Sequence, residues 1–150
     1  MSFNPFAPEG AINNRLQSDV TLLAAVQGIY NTAIPDDLSI RNTLKPIVVV
    51  THLSGSFDDT FVNNMVSHEY QVSVFDSRNN GVVPAQTVLA RIIGNSRGTD
   101  NNPTYGLHRW QVSSVSGMEN ARMRGRQVGA PHDAEAYHYW VTFAIEVQEA

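Results

Sequence analysis

Apolar and polar residues alternate along two long stretches of the chain. In residues 66–76, one side of the extended chain carries Tyr70, Val72 and Val74. The other side carries Gln71, Ser73 and Phe75. The closing stretch repeats the pattern, with one side carrying Tyr137, Tyr139, Val141, Phe143, Ile145 and Val147. Its opposite side carries His138, Trp140, Thr142, Ala144 and Glu146. Both stretches therefore predict half-buried β-strands.

A third strand is predicted by a nearly continuous run of β-branched residues, IVVVTHL at 47–53. Such a run suits a strand at the centre of a sheet. The residues that follow, 54–65, mix small and polar side chains with scattered aromatics. We therefore expect a long hairpin between this strand and the next, and its tip carries Phe57, Asp58, Asp59 and Phe61.

Two segments have the spacing of apolar residues that is typical of amphipathic helices. The first runs from a cap at Asn13 or Asn14 to Gly28, where the helix is expected to stop. The second tolerates Pro84 in its first turn and is stopped by Gly94. Each helix is expected to pack its apolar face on the sheet.

The remaining segments are predicted to be mostly irregular. Residues 32–46 read as a loop with turn signals, and residues 94–106 as a second loop. Residues 107–115 predict a weaker strand, and 116–134 are again irregular.

The order of these elements predicts an α+β fold: a mostly antiparallel sheet with two helices packed on one face and long hairpin or loop protrusions. Residues 1–12 are expected to form a flexible N-terminal arm with two aromatic handles, Phe3 and Phe6. Residues 13–150 are expected to form a single α+β domain.

The second face of the predicted sheet has no obvious covering. Because it carries Phe75 and Trp140 among polar residues, it is too mixed for a monomer's core and too aromatic for plain exposure to water. Burial against another subunit is the simplest explanation. We therefore predict that these two aromatic residues belong to an oligomer or partner interface.

Composition and charge narrow the possible functions. The chain has 150 residues, 42% of them hydrophobic and 16% charged, which is typical of a globular protein. A formal charge of -4 argues against a wide contact with nucleic acid or with an anionic membrane. Without cysteine, the chain has no thiolate nucleophile and no thiolate metal ligand. The N-terminus has neither a basic region nor an apolar run, so we expect no signal peptide or membrane anchor.

The reactive side chains do not have the spacing of a known catalytic or metal-binding group. His132 and His138 flank Asp133 and Glu135, but this spacing matches no established metal-ligand pattern. The adjacent acids of the hairpin tip are expected to be solvated, not catalytic. The chain also lacks a Gly-x-Ser-x-Gly motif and a phosphate-binding loop. We predict no catalytic residue, no metal site, no cofactor and no enzymatic activity.

The basic cluster of the chain is ARMRGRQ, which contains Arg122, Arg124 and Arg126. If the segment is extended, alternation places all three on one side as a narrow positive stripe. A solvated loop, a contact with an acidic partner surface and a contact with nucleic acid all remain open, with nucleic acid the weakest because the chain is acidic overall. The three arginines are therefore included among the candidate interface residues.

Three phrases, taken in order, carry a family resemblance: LQSDVTLLAAVQGIYNTAIPDD, PIVVVTHLSGS and EYQVSVFDSRNNGVVPAQTVLARIIG. They resemble the tail terminator, or tail completion, proteins of long-tailed bacteriophages. In that family a first helix ends near a Val-x-Gly-x-Ile-Tyr phrase, which Val26, Gly28, Ile29 and Tyr30 match here. The resemblance covers about residues 14–93 and the closing strand.

The resemblance implies a small α+β subunit that assembles as a ring, typically a hexamer. Such a ring caps the head-proximal end of the tail tube, halts tube growth and presents a surface to head-completion or connector proteins. The implied partners are sister copies, the tail-tube protein and a connector protein, with no membrane and no sequence-specific nucleic acid. The implied location is the tail or neck of a virion that is assembled in the host cytoplasm. The segment 94–136 and the arm before Asn13 depart from the family pattern.

Two other classes remain open. One is an enzyme or small-ligand binder, in which His52, His68, Asp76 and the tyrosines line a pocket, as in a dimeric α+β barrel. The other is a different neck component, such as a head-tail connector or a tail-tube subunit.

Overall fold

The computed structural model describes residues 7–35, 42–59, 64–94, 104–112, 115, 121–129 and 136–149. In these residues the chain forms three α-helices and five β-strands. The helices are α1 (Ala7–Gln17), α2 (Val20–Ala25) and α3 (Val83–Ile93). The strands are β1 (Gly28–Asn31), β2 (Ile47–Asp59), β3 (Asn64–Ser77), β4 (Arg124–Gly129) and β5 (Ala136–Glu149).

The five strands form one sheet in the order β1-β2-β3-β5-β4. β1 and β2 are parallel, and every other adjacent pair is antiparallel. The β2–β3 hairpin is paired from Ile47 opposite Phe75 to Asp59 opposite Asn64, with a bulge between His52 and Ser54. The predicted α+β fold with a mostly antiparallel sheet and a long hairpin is therefore confirmed, although three helices and not two accompany the sheet.

The helices pack on one face of the sheet, which we call the covered face. Alternate residues of the central strands point into this layer and are buried there: Val48, Val50, Tyr70, Val72, Val74, Val141, Phe143 and Ile145. From the helices they meet Ile12, Leu16, Leu22, Ala85, Val88 and Ile92. The alternation in 66–76 and in the closing strand thus separates the core from the opposite face, as predicted.

The N-terminal half differs from the prediction in two places. α1 begins at Ala7, so residues 7–12, which were assigned to the arm, are helical, and Ile12 is fully buried. The first helix is also interrupted, because Asp19 caps α2 by accepting a hydrogen bond from the Leu22 N–H at 3.3 Å. A composition rich in Phe, Pro and Gly concealed a helix that is stabilised by packing on the core. Phe3 and Phe6 lie outside the described residues.

β1 was predicted to be the end of a helix and is instead an edge strand parallel to β2. Gly28 begins it, and the ring of Tyr30 lies against this position: a Cβ atom at residue 28 would come within 2.5 Å of the Tyr30 hydroxyl, so a larger residue would displace that ring. The local sequence resembles a helix stop, and only the pairing with Ile47 and its neighbours makes it a strand.

The segment between α3 and β5 was predicted least well. Residues 107–115 were expected to form a strand, but those of them that the structure describes show only an isolated bridge, between Gln111 and Arg122. Residues 124–129, predicted to be irregular, form β4. The segment closes the core with Leu107 and Val112, which are both fully buried.

α3 matches its prediction, with Pro in its first turn and Gly94 after its last residue. Gly94 has a φ of 105°, and a Cβ atom there would come within 2.8 Å of the Gly106 Cα. The chain therefore needs glycine at this crossing, where the Leu107 N–H donates to the Ile92 carbonyl at 2.9 Å.

Candidate protein-protein interface

The second face of the sheet is the candidate functional surface, which we call the open face. In the part of the chain that the structure describes, no helix contributes to the packing on this side. Its aromatic residues come from three strands, Tyr30 on β1, Phe75 on β3, and His138 and Trp140 on β5. All four side chains are half-buried. In the middle of this face the small and aliphatic residues Ile47, Val49 and Ser73 are buried, and the exposed surface is contributed by the half-buried rings.

Strand register brings the open-face residues together. Phe75 lies opposite Ile47 on one side and opposite His138 on the other. Ser73 lies between Val49 and Trp140 in the same way. Because Ser73 is small and only 4% exposed, the larger residues on either side cover it. The result is a nearly continuous row of side chains across β2, β3 and β5.

The aromatic rings of the open face contact one another. Phe75 and His138 are stacked, with ring centroids 4.2 Å apart and planes inclined by 14°. His138 and Trp140 follow at 5.2 Å. Ring pairs at such distances are favourable beyond their buried area and hold the side chains in one arrangement. The open face is therefore preorganised, and little side-chain entropy would be lost when another protein covered it.

The middle of the open face carries no Asp, Glu, Lys or Arg residue. Its residues on β2, β3 and β5 are Ile47, Val49, Thr51, Gln71, Ser73, Phe75, His138, Trp140 and Thr142. Charged residues appear toward one end, where Glu69 and Arg124 are both in register with Ala144. Protein interfaces commonly have such an uncharged, aromatic-rich centre with charged residues at the rim.

The predicted interface residues are only partly brought together. Phe75 and Trp140 share the open face, as the alternation implied. Phe57, Asp58 and Asp59 lie in the last part of β2, which extends the hairpin further than expected. Phe61 lies outside the described residues.

The regular alternation on which the predicted arginine stripe depended is interrupted. Arg122 precedes β4 and donates from Nη1 to the Arg109 carbonyl at 3.2 Å. Arg124 begins β4 and is exposed, and Arg126 is the extra residue of a bulge between Gly125 and Gln127. The bulge interrupts the alternation that would have put all three on one side.

Sequence reasoning missed two members of the open face. Tyr30 was assigned to a helix end, and His138 was considered mainly as a possible metal ligand. The alternation of β5 already placed His138 beside Trp140, so this signal was available. For Tyr30 it was not, because β1 is defined by its pairing with β2 and not by a pattern of its own.

The residues suggested for a ligand-binding pocket are separated along the sheet. His52 Nε2 and His68 Nδ1 are 3.4 Å apart, and the His52 and Tyr70 rings lie 5.1 Å apart. Asp76 is on the same strand as Tyr70 but six residues further on, which is about 20 Å along an extended chain. These residues therefore do not converge on one substrate.

Two buried ionisable groups have structural roles. Burial raises the pKa of Asp76, although the side chain of Asn80 and the Ser77 N–H donate to its Oδ1. Burial also raises the pKa of the Tyr70 phenol, with a smaller contribution from the charge of Glu9. Because the two groups are six residues apart along β3, they do not form an acid and base pair.

A bidentate ion pair joins the helices. Arg91 of α3 donates from Nε to Asp19 Oδ2 at 2.7 Å and from Nη2 to Asp19 Oδ1 at 2.9 Å. The Arg91 guanidinium also lies 3.4 Å from the centroid of the Tyr105 ring. The hydrogen bonds from Arg91 lower the pKa of Asp19. The side chains that line the cleft between α2 and α3 thus bind one another. We therefore assign this cleft a structural role.

Among the described residues, no three or more His, Asp or Glu side chains lie together in a way that could hold a metal ion. The acids of the grouping considered in the sequence, Asp133 and Glu135, lie outside the described residues. None of the described helices is both long enough and apolar enough to cross a membrane.

Comparison with known proteins adds a likeness of fold. No family model and no curated protein matches the chain. A solved structure described as the virion of a native gene transfer agent particle contains a chain with the same fold, with a TM-score of 0.55. The two chains are 16% identical, and the match covers 94% of each. At this identity the match shows a shared fold over nearly the whole length of both chains.

Proposed function

We propose that this protein is a structural component of a phage-like virion and, more specifically, a tail terminator. It would form a ring, with six copies as the expected number, that caps the head-proximal end of the tail tube. The ring would stop tube growth and join the tube to the head-completion or connector proteins. It acts by binding proteins and performs no chemical reaction.

The observation that carries this proposal is the open face. A row of contacting rings, Phe75, His138 and Trp140, at the uncharged centre of a sheet face with no described helix packed on it is the kind of surface that another subunit covers. Two further points support the proposal. The fold is shared with a chain of a gene transfer agent virion, and three phrases of the sequence resemble tail terminators.

A ring subunit needs separate surfaces for its sister copies and for the structures above and below it. The helix side offers a second apolar surface near α2, where Val20 is 79% exposed and Leu44 is 88% exposed. The turn that carries Leu44 is held beside α2 by Lys45, whose ammonium donates to the Ala24 carbonyl at 3.0 Å. The chain therefore has at least two different surfaces with which to contact partners.

Electron microscopy of the purified protein, combined with its mass from light scattering, tests the proposal. We expect a six-fold annulus and a mass near six times the 16.5 kDa of one chain. A protein that stays monomeric or dimeric at every concentration contradicts the ring. A protein that grows open tubes by itself is a tube subunit, the alternative within the same class of virion proteins.

A matched pair of variants connects the assembly to the open face. Trp140→Lys places a charge in the aromatic row and should reduce the assembled fraction about tenfold or more. Thr87→Lys adds the same charge at an exposed position of α3 and should leave assembly unchanged. Equal assembly by both variants would show that the open face is not an interface.

A further inference from the structure

We propose that the open face of one copy binds the helix side of the next copy in the ring. The surface on the helix side, which we call the α2 surface, consists of five exposed residues: Val20, Leu23, Ala24, Leu44 and Lys45. Its occupant is the aromatic row of a sister copy. This inference rests on the proposed ring and names the two surfaces that close it.

The helix α2 is apolar on almost every side, with the sequence VTLLAA. Leu22 is fully buried and points into the core. Because side chains turn by about 100° per residue, Val20 and Ala24 point away from Leu22 and out of the helix layer. Both are exposed, as is Leu23 beside them. Helices that are apolar all round are normally buried, so we expect another molecule to cover α2.

An open groove of about 510 Å³ lies beside the end of α2. Val26, Gln27, Asn42, Leu44 and Lys45 line it. The Leu44 N–H donates to Gln27 Oε1 at 3.3 Å, and the hydrogen bond from Lys45 to α2 holds the other side of the turn. The turn and the helix therefore form one surface. The groove is large enough to receive an aromatic side chain.

The open face and the α2 surface are chemically complementary. The open face presents contacting rings, and the face of an aromatic ring has a negative potential. The α2 surface presents aliphatic side chains and one cation, Lys45, which a ring face attracts. Two α2 surfaces in contact would instead bring two copies of Lys45 together, which is unfavourable. The aromatic row is therefore the better partner for the α2 surface.

The two surfaces lie on opposite sides of the subunit and at the same end of its strands. Phe75 and His138 are level with Ile47, the first residue of β2. The α2 surface adjoins the same end, because the Gln27 N–H donates to the Pro46 carbonyl at 2.8 Å. A rotation about an axis along the strands therefore brings the α2 surface of one copy level with the rings of its neighbour.

Contact between these unlike surfaces is heterologous and repeats from copy to copy until a ring closes. Contact between two open faces would be isologous and would stop at a dimer. The open face alone therefore cannot account for a ring. The α2 surface supplies the second, different surface that a ring needs.

Two lysine variants, one in each surface, test this inference. Trp140→Lys disables the open face and Leu44→Lys disables the α2 surface, so each alone should lose ring formation about tenfold or more. In an equimolar mixture, the intact α2 surface of Trp140→Lys should bind the intact open face of Leu44→Lys. The next junction would join two lysines. Assembly should therefore stop at a dimer that contains one copy of each variant.

Native mass spectrometry identifies this mixed dimer because the two variants differ in mass. Thr87→Lys, at an exposed position of α3, is the matched control and should form rings like the wild type. Circular dichroism should show cooperative unfolding for every variant. Formation of the mixed dimer is itself a second sign that both variants are folded, because each must present an intact surface.

The possible failures are distinguishable. A wild-type protein that forms no ring overturns the proposed function and this inference with it. Rings formed by Leu44→Lys alone overturn the inference and leave the ring intact, and if those rings no longer bind tube ends, the α2 surface belongs to the tube protein. Dimers formed by Leu44→Lys alone would show that open faces bind each other. Folded variants that give no mixed dimer also overturn the inference.

Discussion

One face of the sheet is covered by helices and the other is not, although the residues of the two faces alternate along the same strands. On the covered face Val72 and Phe143 are fully buried by the helices. One residue away on each strand, Ser73 and Thr142 belong to the open face, which has no described helix on it. Because both faces share one backbone, the difference is set by side chains alone. The covered face stabilises the subunit, and on our account the open face serves assembly.

The largest effect should come from a charge on the covered face. Val72→Asp buries a carboxylate with no partner, which costs about 4 kcal/mol or more and should prevent cooperative folding. Gln71→Asp puts the same group on the neighbouring open face, where the free energy of unfolding should fall by less than about 1 kcal/mol. Urea unfolding followed by circular dichroism measures both. Equal losses would show that the two faces are buried alike.

Removing one aromatic ring from each face should give the next effect. Phe143→Ala on the covered face should lower the free energy of unfolding by about 3–5 kcal/mol, because it leaves a cavity in a closed core. Phe75→Ala on the open face should cost about 1 kcal/mol in the isolated subunit, and its main effect should be on assembly. If Phe75→Ala lost as much stability as Phe143→Ala while assembly was unchanged, the open face would be a core surface.

The ion pair between the helices should give the smallest effect. Arg91→Met removes a partly exposed pair and should cost about 1 kcal/mol at neutral pH. The folded protein holds the pKa of Asp19 below its usual value, so the pair contributes fully above the unfolded pKa of about 4. This contribution is lost as the pH falls through the folded pKa of Asp19.

The stabilities of wild type and Arg91→Met should therefore converge in acid. Urea unfolding at a series of pH values measures this convergence. A difference that persists unchanged in acid would mean that Arg91 acts through its packing on Tyr105 and not through its charge.

An element of this fold could be predicted from the sequence where its pattern of apolar residues lies within the element itself. β3, β5 and α3 carry a complete periodic pattern, because each buries a single face over many residues. β4 has the sequence RGRQVG, whose glycines and arginines do not favour a strand, and it is formed by its pairing with β5. β1 is shorter still, and its parallel partner lies beyond a long connection.

The residues of the candidate interface also differ in how well the sequence predicts them. Phe75 and Trp140 could be assigned to one surface because the alternation of β3 and β5 defines which side they occupy. The position of Tyr30 on the same face of the sheet could not be predicted, since it depends on the order of strands across the sheet.

The most direct test of the central claim is the accessibility of Trp140 in dilute and in assembled protein, measured by hydroxyl-radical footprinting with mass spectrometry. Trp110 is 8% exposed in the core of the same chain and is the internal reference. We predict that the oxidation rate of Trp140 falls severalfold on assembly, while that of Trp110 does not change. An assembled ring in which Trp140 is oxidised as fast as in the dilute subunit would contradict the assignment of the open face as an interface.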